Sequence, residues 1–182
     1  LAQIQDEIAR RGLPYALVRV QRNTSVNLPL SPRLVLSATD RVAVLRRTDV
    51  EVSASAQGTY AARYALGPVT LQRGWVRVST RWEGRPIHFV ATHLETQRLA
   101  PVQAAQTSEL LASVVSGLDG MTLVTGDLNS DVAHPGAPSW TPTYDTLIRA
   151  GFVDLYAARG QGADRGFTCC QDRKSTRLNS SH

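Results

Sequence analysis

Apolar and polar positions divide the chain into short runs with two different periods. Leu1, Ile4 and Ile8 fall on one face of a helix over residues 1–11, which Gly12 ends. YALVRVQ (15–21) alternates as a strand does. RLVLSATDRVAVLRR (33–47) reads as two short strands joined around Ala38–Asp40, and VEVSASA (50–56) as another. Residues 57–74 carry little pattern before a return to strand near 68–72. In GWVRVSTRWEGRPIHFVATHLE (74–95) two β-rich runs flank Glu83–Gly84, the signature of a hairpin. Leu111, Val114, Val115 and Leu118 then recur at helical spacing, inside a helix over 102–116 that Gly117 and Gly120 close. MTLVTGDLNSD (121–131) opens as a buried strand through Leu123 and Val124 and breaks at Gly126. Thr141 and Pro142 predict the cap and first residue of a helix ended by Gly151. FVDLY (152–156) predicts a last short strand. Many strands early, with helices between the later ones, imply α/β architecture: mixed or packed sheets with helices outside.

One connection bears on chemistry. Strand 86–92, helix 102–116 and strand 121–125 form a strand–helix–strand unit, and such a crossover makes its two strands parallel. His93 and Asp127 then leave the sheet at the same edge, where open α/β sheets bind ligands. By alternation His93 shares a face with Ile87, Phe89 and Ala91. His88 points the other way and reads as a surface residue. Each motif alone has a plain structural reading: GDLNSD as a polar turn, and His93 as a half-buried, hydrogen-bonded histidine. Their convergence does not follow from either. An imidazole, a carboxylate and a carboxamide in one cleft suit hydrolysis of a phosphate ester. The carboxylate takes a proton from water, the carboxamide holds a phosphoryl oxygen, and the imidazole donates to an oxygen of the scissile group. A hard divalent cation usually accompanies this chemistry.

Composition alters the picture only slightly. The 182 residues are 42% hydrophobic and 19% charged, ordinary values for a globular domain. No apolar run approaches the roughly 20 residues that cross a bilayer. The chain opens at Leu1 inside its first helix, so the protein's own N-terminus is expected upstream. Formal charge is +5, with one Lys against 19 Arg. The Lys lies in RKSTRLNSSH (173–182), which has no apolar periodicity and reads as a foreign tail. Without Arg173, Lys174 and Arg177 the charge is +2, which neither demands nor excludes a nucleic-acid groove. Cys169 and Cys170 are adjacent, a strained arrangement for a mutual disulfide and the wrong spacing for zinc. Asn23–Ser25 fits a glycosylation sequon. No G-x-S-x-G is present, which disfavours a serine hydrolase.

ATHLE (91–95) followed by TGDLNSD (125–131), with a helix carrying Gln103, Gln106 and Glu109 between them, resembles the endonuclease/exonuclease/phosphatase family of deoxyribonuclease I. TDRVAVLRR (39–47), GWVRV (74–78), TPTYDTLIRAGFVDLY (141–156) and GFTCCQ (166–171) extend the likeness over about residues 1–172, as one partial domain, and it leans towards the bacterial, exported branch. The resemblance implies a four-layer α/β sandwich of two mixed sheets with helices outside, acting as a monomer in the periplasm or outside the cell. It implies a Mg²⁺-dependent phosphoesterase, with Mn²⁺ or Ca²⁺ as substitutes. The substrate would be a phosphate mono- or diester: a nucleic acid, a sphingolipid or an inositol phosphate. His93 matches the family's catalytic His, Asp127 the Asp that activates water, and Asn129 the Asn that positions phosphate. Asp127 and Asn129 are also its expected metal contacts. Asp131 reads as a turn residue, and Asp154 and Thr168 fall in matching segments without an assigned role. The family's metal-binding Gln-Glu segment would precede residue 1 and its Ser-Asp-His segment would follow Gln171. The 182 residues alone are therefore expected to have little activity. The alternative is a non-catalytic binding module on the same fold.

Overall fold

The computed structural model describes residues 1–132 except Pro68, and residues 137–160. The chain divides into two compact units, Leu1–Leu147 and Ile148–His182. Element order is α1 (Ala2–Arg10), β1 (Tyr15–Ser31), β2 (Leu34–Arg47), β3 (Ala54–Thr59), β4 (Tyr64–Leu66), β5 (Val69–Leu71), β6 (Gly74–Trp82), β7 (Arg85–His93), α2 (Ala100–Glu109), β8 (Met121–Asp127), α3 (Thr143–Arg149) and α4 (Leu155–Ala158).

The first unit is built on a mixed four-stranded sheet in the order β3-β6-β7-β8. β6 pairs antiparallel with β3 and with β7, and β8 runs parallel to β7. Glu83 and Gly84 join β6 to β7 with positive φ at both residues (49° and 76°), the mirror-image turn that matches strand twist. Side-chain alternation gives this sheet two faces. Val76 and Val78 of β6 pack with Val42 of β2 into a buried cluster. Val18, Val44, Val52 and Ala91 pack against that cluster. The antiparallel ribbon β1–β2 therefore covers this face. On the opposite face Arg77 donates to the carbonyl of Val114 at 2.6 Å, tying down the helical connection. α2 widens there into a π-type turn over Leu110–Val115, and Leu110 and Val114 are both buried. The α/β architecture of packed sheets with helices outside is thus observed. The four-stranded sheet is mixed and its partner ribbon is antiparallel.

Several local expectations need correction. RLVLSATDRVAVLRR is a single strand with no break at Ala38–Asp40. A bulge absorbs the irregularity: Arg22 pairs with Arg41 and Ser25 with Thr39, so Asn23 and Thr24 together face Asp40. β3 begins only at Ala54, because Arg46 Nη1 reaches the carbonyls of Thr48 and Val50 and closes a turn before it. β8 is the edge of its sheet among the described residues, which leaves Leu123 and Val124 half-buried rather than buried. Thr141 does not cap α3: its hydroxyl donates to Ser130 Oγ at 2.9 Å, and the helix starts at Thr143. In the second unit FVDLY is not a strand. Asp154 Oδ1 accepts from the backbone N–H groups of Tyr156 and Ala157 and caps α4. Thr168, Cys169, Cys170 and the tail 173–182 lie outside the described residues.

Candidate functional site

The parallel pairing of β7 and β8 runs in register from Ile87–Met121 to His93–Asp127. His93 and Asp127 are thus direct neighbours at the carboxyl ends of two parallel strands. Leu94 extends the pairing by donating its N–H to the Asp127 carbonyl at 3.0 Å. Gly126 makes the register possible. Its φ is +126°, and a Cβ there would stand 1.9 Å from the carbonyl oxygen of Thr92. Only a residue without a side chain tolerates both conditions.

Asn129 follows in the left-handed region, with φ of 50°. Three bonds hold it in that costly conformation. Its N–H donates to Asp127 Oδ1 at 2.9 Å, its Nδ2 donates to the Leu94 carbonyl at 3.0 Å, and its own carbonyl accepts from Gln103 Nε2 at 2.9 Å. With Nδ2 committed to Leu94, Oδ1 makes no hydrogen bond among the described residues. His93, Asp127 and Asn129 therefore meet at one end of the sheet. Asp131 closes the next loop, accepting from Ser139 Oγ at 2.8 Å.

His93 faces the ribbon, on the same side as Ala91. Across from it lies a cleft of about 530 Å³, lined by Arg41–Leu45 of β2, Ala91–His93 of β7 and Thr125–Asp127 of β8. Two polar groups contact His93 here and two more hold those in place, and motif reading left all four without roles. Arg73 Nη1 lies 3.0 Å from His93 Nδ1 and 3.0 Å from Asp40 Oδ2. Its Nε and Nη2 form a bidentate pair with Glu95 at 3.2 and 3.1 Å. Asp40 Oδ1 is 3.5 Å from His93 Nδ1, and Asn23 Nδ2 donates to Asp40 Oδ2 at 3.0 Å. The bulge in β1 is what aims Asn23 at Asp40. Asn23 is buried in this contact, which leaves it unsuited to carry a glycan.

Electrostatics follow from these contacts. The His93 ring, with Asn23 and Arg73, holds the Asp40 carboxyl well below the usual carboxylate range against the opposing effect of burial. Burial alone would raise Glu95, but Arg73 and the Thr96 N–H outweigh it and leave the carboxyl lowered. A guanidinium can only donate. His93 Nδ1 therefore either accepts from Arg73 or donates to Asp40, according to the tautomer. A proton placed on that nitrogen would exchange Arg73 for Asp40 as its partner.

Asp127 and Asn129 fit a hard cation as far as the donor set goes. Asp127 lines the cleft with one carboxylate oxygen free of the Asn129 N–H, the Asn129 carboxamide oxygen is uncommitted among the described residues, and Mg²⁺ needs only one or two protein oxygens beside water and substrate. Asp40 and Glu95 do not fit, since Arg73 already occupies the space between them. Among the described residues no group of three His, Cys, Asp or Glu side chains is placed to hold a metal ion. His88 is no surface residue: it is buried, with Nδ1 on Ser79 Oγ at 2.8 Å and Nε2 on the Asp119 carbonyl at 2.6 Å, on the face away from the cleft.

The roles of Asp40, Arg73 and Glu95 left one weak trace in the sequence. Glu95 follows His93 by two positions, the spacing of one strand face. Nothing local joins Arg73 to Asp40, 33 residues earlier.

No protein-family model matches the chain, and no curated protein sequence matches it. Solved structures do. An endonuclease/exonuclease/phosphatase family protein from Leptotrichia buccalis C-1013-b superposes with a TM-score of 0.55 at 17% identity, over 95% of this chain and 61% of its own. A humanized D. rerio TDP2 with 14 mutations superposes more loosely, at a TM-score of 0.45 and 14% identity, over 78% of this chain and 50% of its own. This chain thus spans 61% of the length of the first of them. At this identity the likeness is one of fold: over 95% of its length the chain folds as that endonuclease/exonuclease/phosphatase family protein does.

Proposed function

We propose that this chain is part of a divalent-cation-dependent phosphoesterase, with its reaction centre at the His93–Asp127 edge. The observation that carries the reading is the in-register pairing of His93 with Asp127 at the mouth of a cleft whose far wall brings Asp40 to the same imidazole. Structural turns or a satisfied core histidine would need no such convergence.

Each residue has a task suited to its surroundings. Asp127 keeps one carboxylate oxygen on the Asn129 N–H and offers the other to an attacking water, from which it takes a proton. The second N–H of the Asn129 carboxamide donates to a phosphoryl oxygen. His93 donates to the leaving-group or a nonbridging oxygen, and Asp40 steadies the ring as its charge changes. Arg73 adds fixed positive charge beside His93. Asp127 and Asn129 would hold Mg²⁺, or Mn²⁺ or Ca²⁺ in its place. Such an ion neutralises phosphate charge that would otherwise repel the nucleophile.

The assay belongs to the full-length protein, because this chain spans 61% of its solved neighbour. Phosphodiester and phosphomonoester substrates should be hydrolysed with millimolar Mg²⁺ and not with EDTA. Asp127→Asn and His93→Ala should each lower turnover by roughly 10²–10⁴-fold, the usual worth of a positioned acid or base. Folded His93→Ala protein with near-normal turnover on its best substrate would remove the role given to His93.

A further inference from the structure

Gln103 is wholly buried on α2, yet every polar atom of its side chain is committed, and to elements far apart in sequence. Its Nε2 donates to the Glu95 carbonyl at 2.6 Å, in the loop after β7, and to the Asn129 carbonyl at 2.9 Å, in the loop after β8. Its Oε1 accepts from Thr143 Oγ1 at 2.8 Å. Thr107 Oγ1 donates to the Gln103 carbonyl at 2.9 Å and lies 3.0 Å from Thr143 Oγ1. The Glu95 and Asn129 carbonyls can only accept, which fixes the end of the carboxamide that faces them as the donor. Gln106, one turn on, accepts from the Glu95 N–H at 2.8 Å, so Glu95 is gripped at both its backbone groups.

Two loops carry the proposed chemistry, and one nitrogen atom bonds both. We propose that Gln103 is the positioning residue of this site, a clamp that sets Asn129 and Asp127 against His93. The catalytic part of this inference rests on the phosphoesterase reading; the mechanical part does not. Asn129 is held in the left-handed region, and the bond from Gln103 is its only backbone carbonyl restraint among the described residues. Glu95, the other end of the clamp, holds Arg73, and Arg73 holds His93. A carboxamide suits this task because it supplies two N–H donors from one atom. An apolar side chain of equal volume would fill the space and leave both carbonyls unrestrained.

The test uses the full-length protein with Gln103→Met, Asn129→Ala and the double variant. Gln103→Met should lower kcat by about 10²-fold through misplacement of the reacting groups, with KM moved by no more than about threefold. If Gln103 acts through Asn129, the double variant should be within roughly threefold of the worse single variant. Losses that multiply would overturn the clamp and leave an ordinary packing residue. Nuclear magnetic resonance supplies a readout that needs no turnover. In Gln103→Met the backbone and side-chain amide signals of Asn129 should move, while Gly84, in the distant hairpin turn, stays in place. Asn129 signals that overlay on the wild type would also overturn the clamp. A wild type without hydrolytic activity whose Asn129 signals still respond to Gln103→Met would end the phosphoesterase reading and leave the clamp standing. Should Gln103→Met fail to fold, Gln103→Glu serves. It keeps the acceptor for Thr143 and places an oxygen against two carbonyls, and protonation restores one donor. Its Asn129 signals should return toward wild type as pH falls, and their failure to respond counts against the clamp.

Discussion

Arg73 is the side chain on which the polar groups of the cleft converge, and its removal has a consequence with a definite sign. Asp40 and Glu95 both have carboxyls lowered below their ordinary values of 3.8 and 4.5. A lowered carboxyl contributes stability that is fully present above its unfolded value and is lost as pH falls below it. The wild-type melting temperature should therefore drop between about pH 5 and pH 3. Arg73→Met leaves Glu95, whose side chain is 3% exposed, buried beside no cation. Breaking such a pair typically costs about 3–5 kcal/mol at neutral pH. The unpaired Glu95 carboxyl is then raised by burial, and protonating it relieves the folded state. Stability of the variant should accordingly rise, not fall, as pH is lowered from about 7 toward 5. Thermal melts across that range check both slopes, and a variant that follows the wild-type curve would show that Glu95 does not depend on Arg73. This trio was not legible in the sequence. His93, Asp127 and Asn129 were, because each stands in a contiguous motif at the end of an apolar run. Arg73, Asp40 and Glu95 become partners only through the register of β2, β6 and β7.

At the scale of elements, the β7–α2–β8 crossover was the most legible feature, and its parallel register is as expected. Handedness and connection length leave a strand–helix–strand unit few alternatives. The boundaries that were misread share a cause: a polar side chain making a bond the pattern cannot display. Thr39 and Asp40 look like a turn, but Ser25 Oγ bonds Thr39 Oγ1 at 2.9 Å across the ribbon and Asn23 binds Asp40, so β2 continues. Val153 and Leu155 alternate as in a strand, but Asp154 caps two backbone N–H groups and starts α4 instead. Gly126 is where element geometry and chemistry meet. Gly126→Ala would demand a positive φ of a residue with a Cβ and push that atom into the Thr92 carbonyl. The strain is about 1–3 kcal/mol, to which the displaced β7–β8 contact adds. The edge should separate there, with stability reduced by at least that amount and hydrolysis by about 10²-fold. Hydrogen exchange at Leu94, whose N–H bonds the Asp127 carbonyl, reports the separation. Unchanged protection there would refute the tight approach.

For the molecule as a whole, the sequence pattern conveyed the class of architecture but not how the ribbon is used. The β1–β2 arm is long, and its two halves are built differently. Near its base Val18, Val42 and Val44 pack against the four-stranded sheet. Beyond the Val26–Ala38 pair the strands still bond to each other, yet Leu28, Leu34, Val35 and Leu36 are each more than 40% exposed. A strand with alternating periodicity looks the same whether one face is covered or neither is, which is why the pattern could not distinguish base from tip. The core and the cleft should therefore be independent of the tip. Replacing residues 27–37 with Asn-Gly joins Val26 to Ala38 through the two-residue turn that favours a tight hairpin. It leaves Asn23, Asp40 and Val42 in the register they now hold. The shortened protein should melt within about 5 °C of the parent, since little apolar area is lost from the interior. Its turnover of a small soluble phosphodiester should be within about threefold of the parent's, because no group facing His93 has moved. Loss of cooperative melting on shortening would mean that the distal ribbon is covered in the whole protein and belongs to its core. Intact melting with lost turnover would instead mean that the tip governs the Asn23–Asp40 bulge from a distance, and the two-part description of the arm would have to be abandoned.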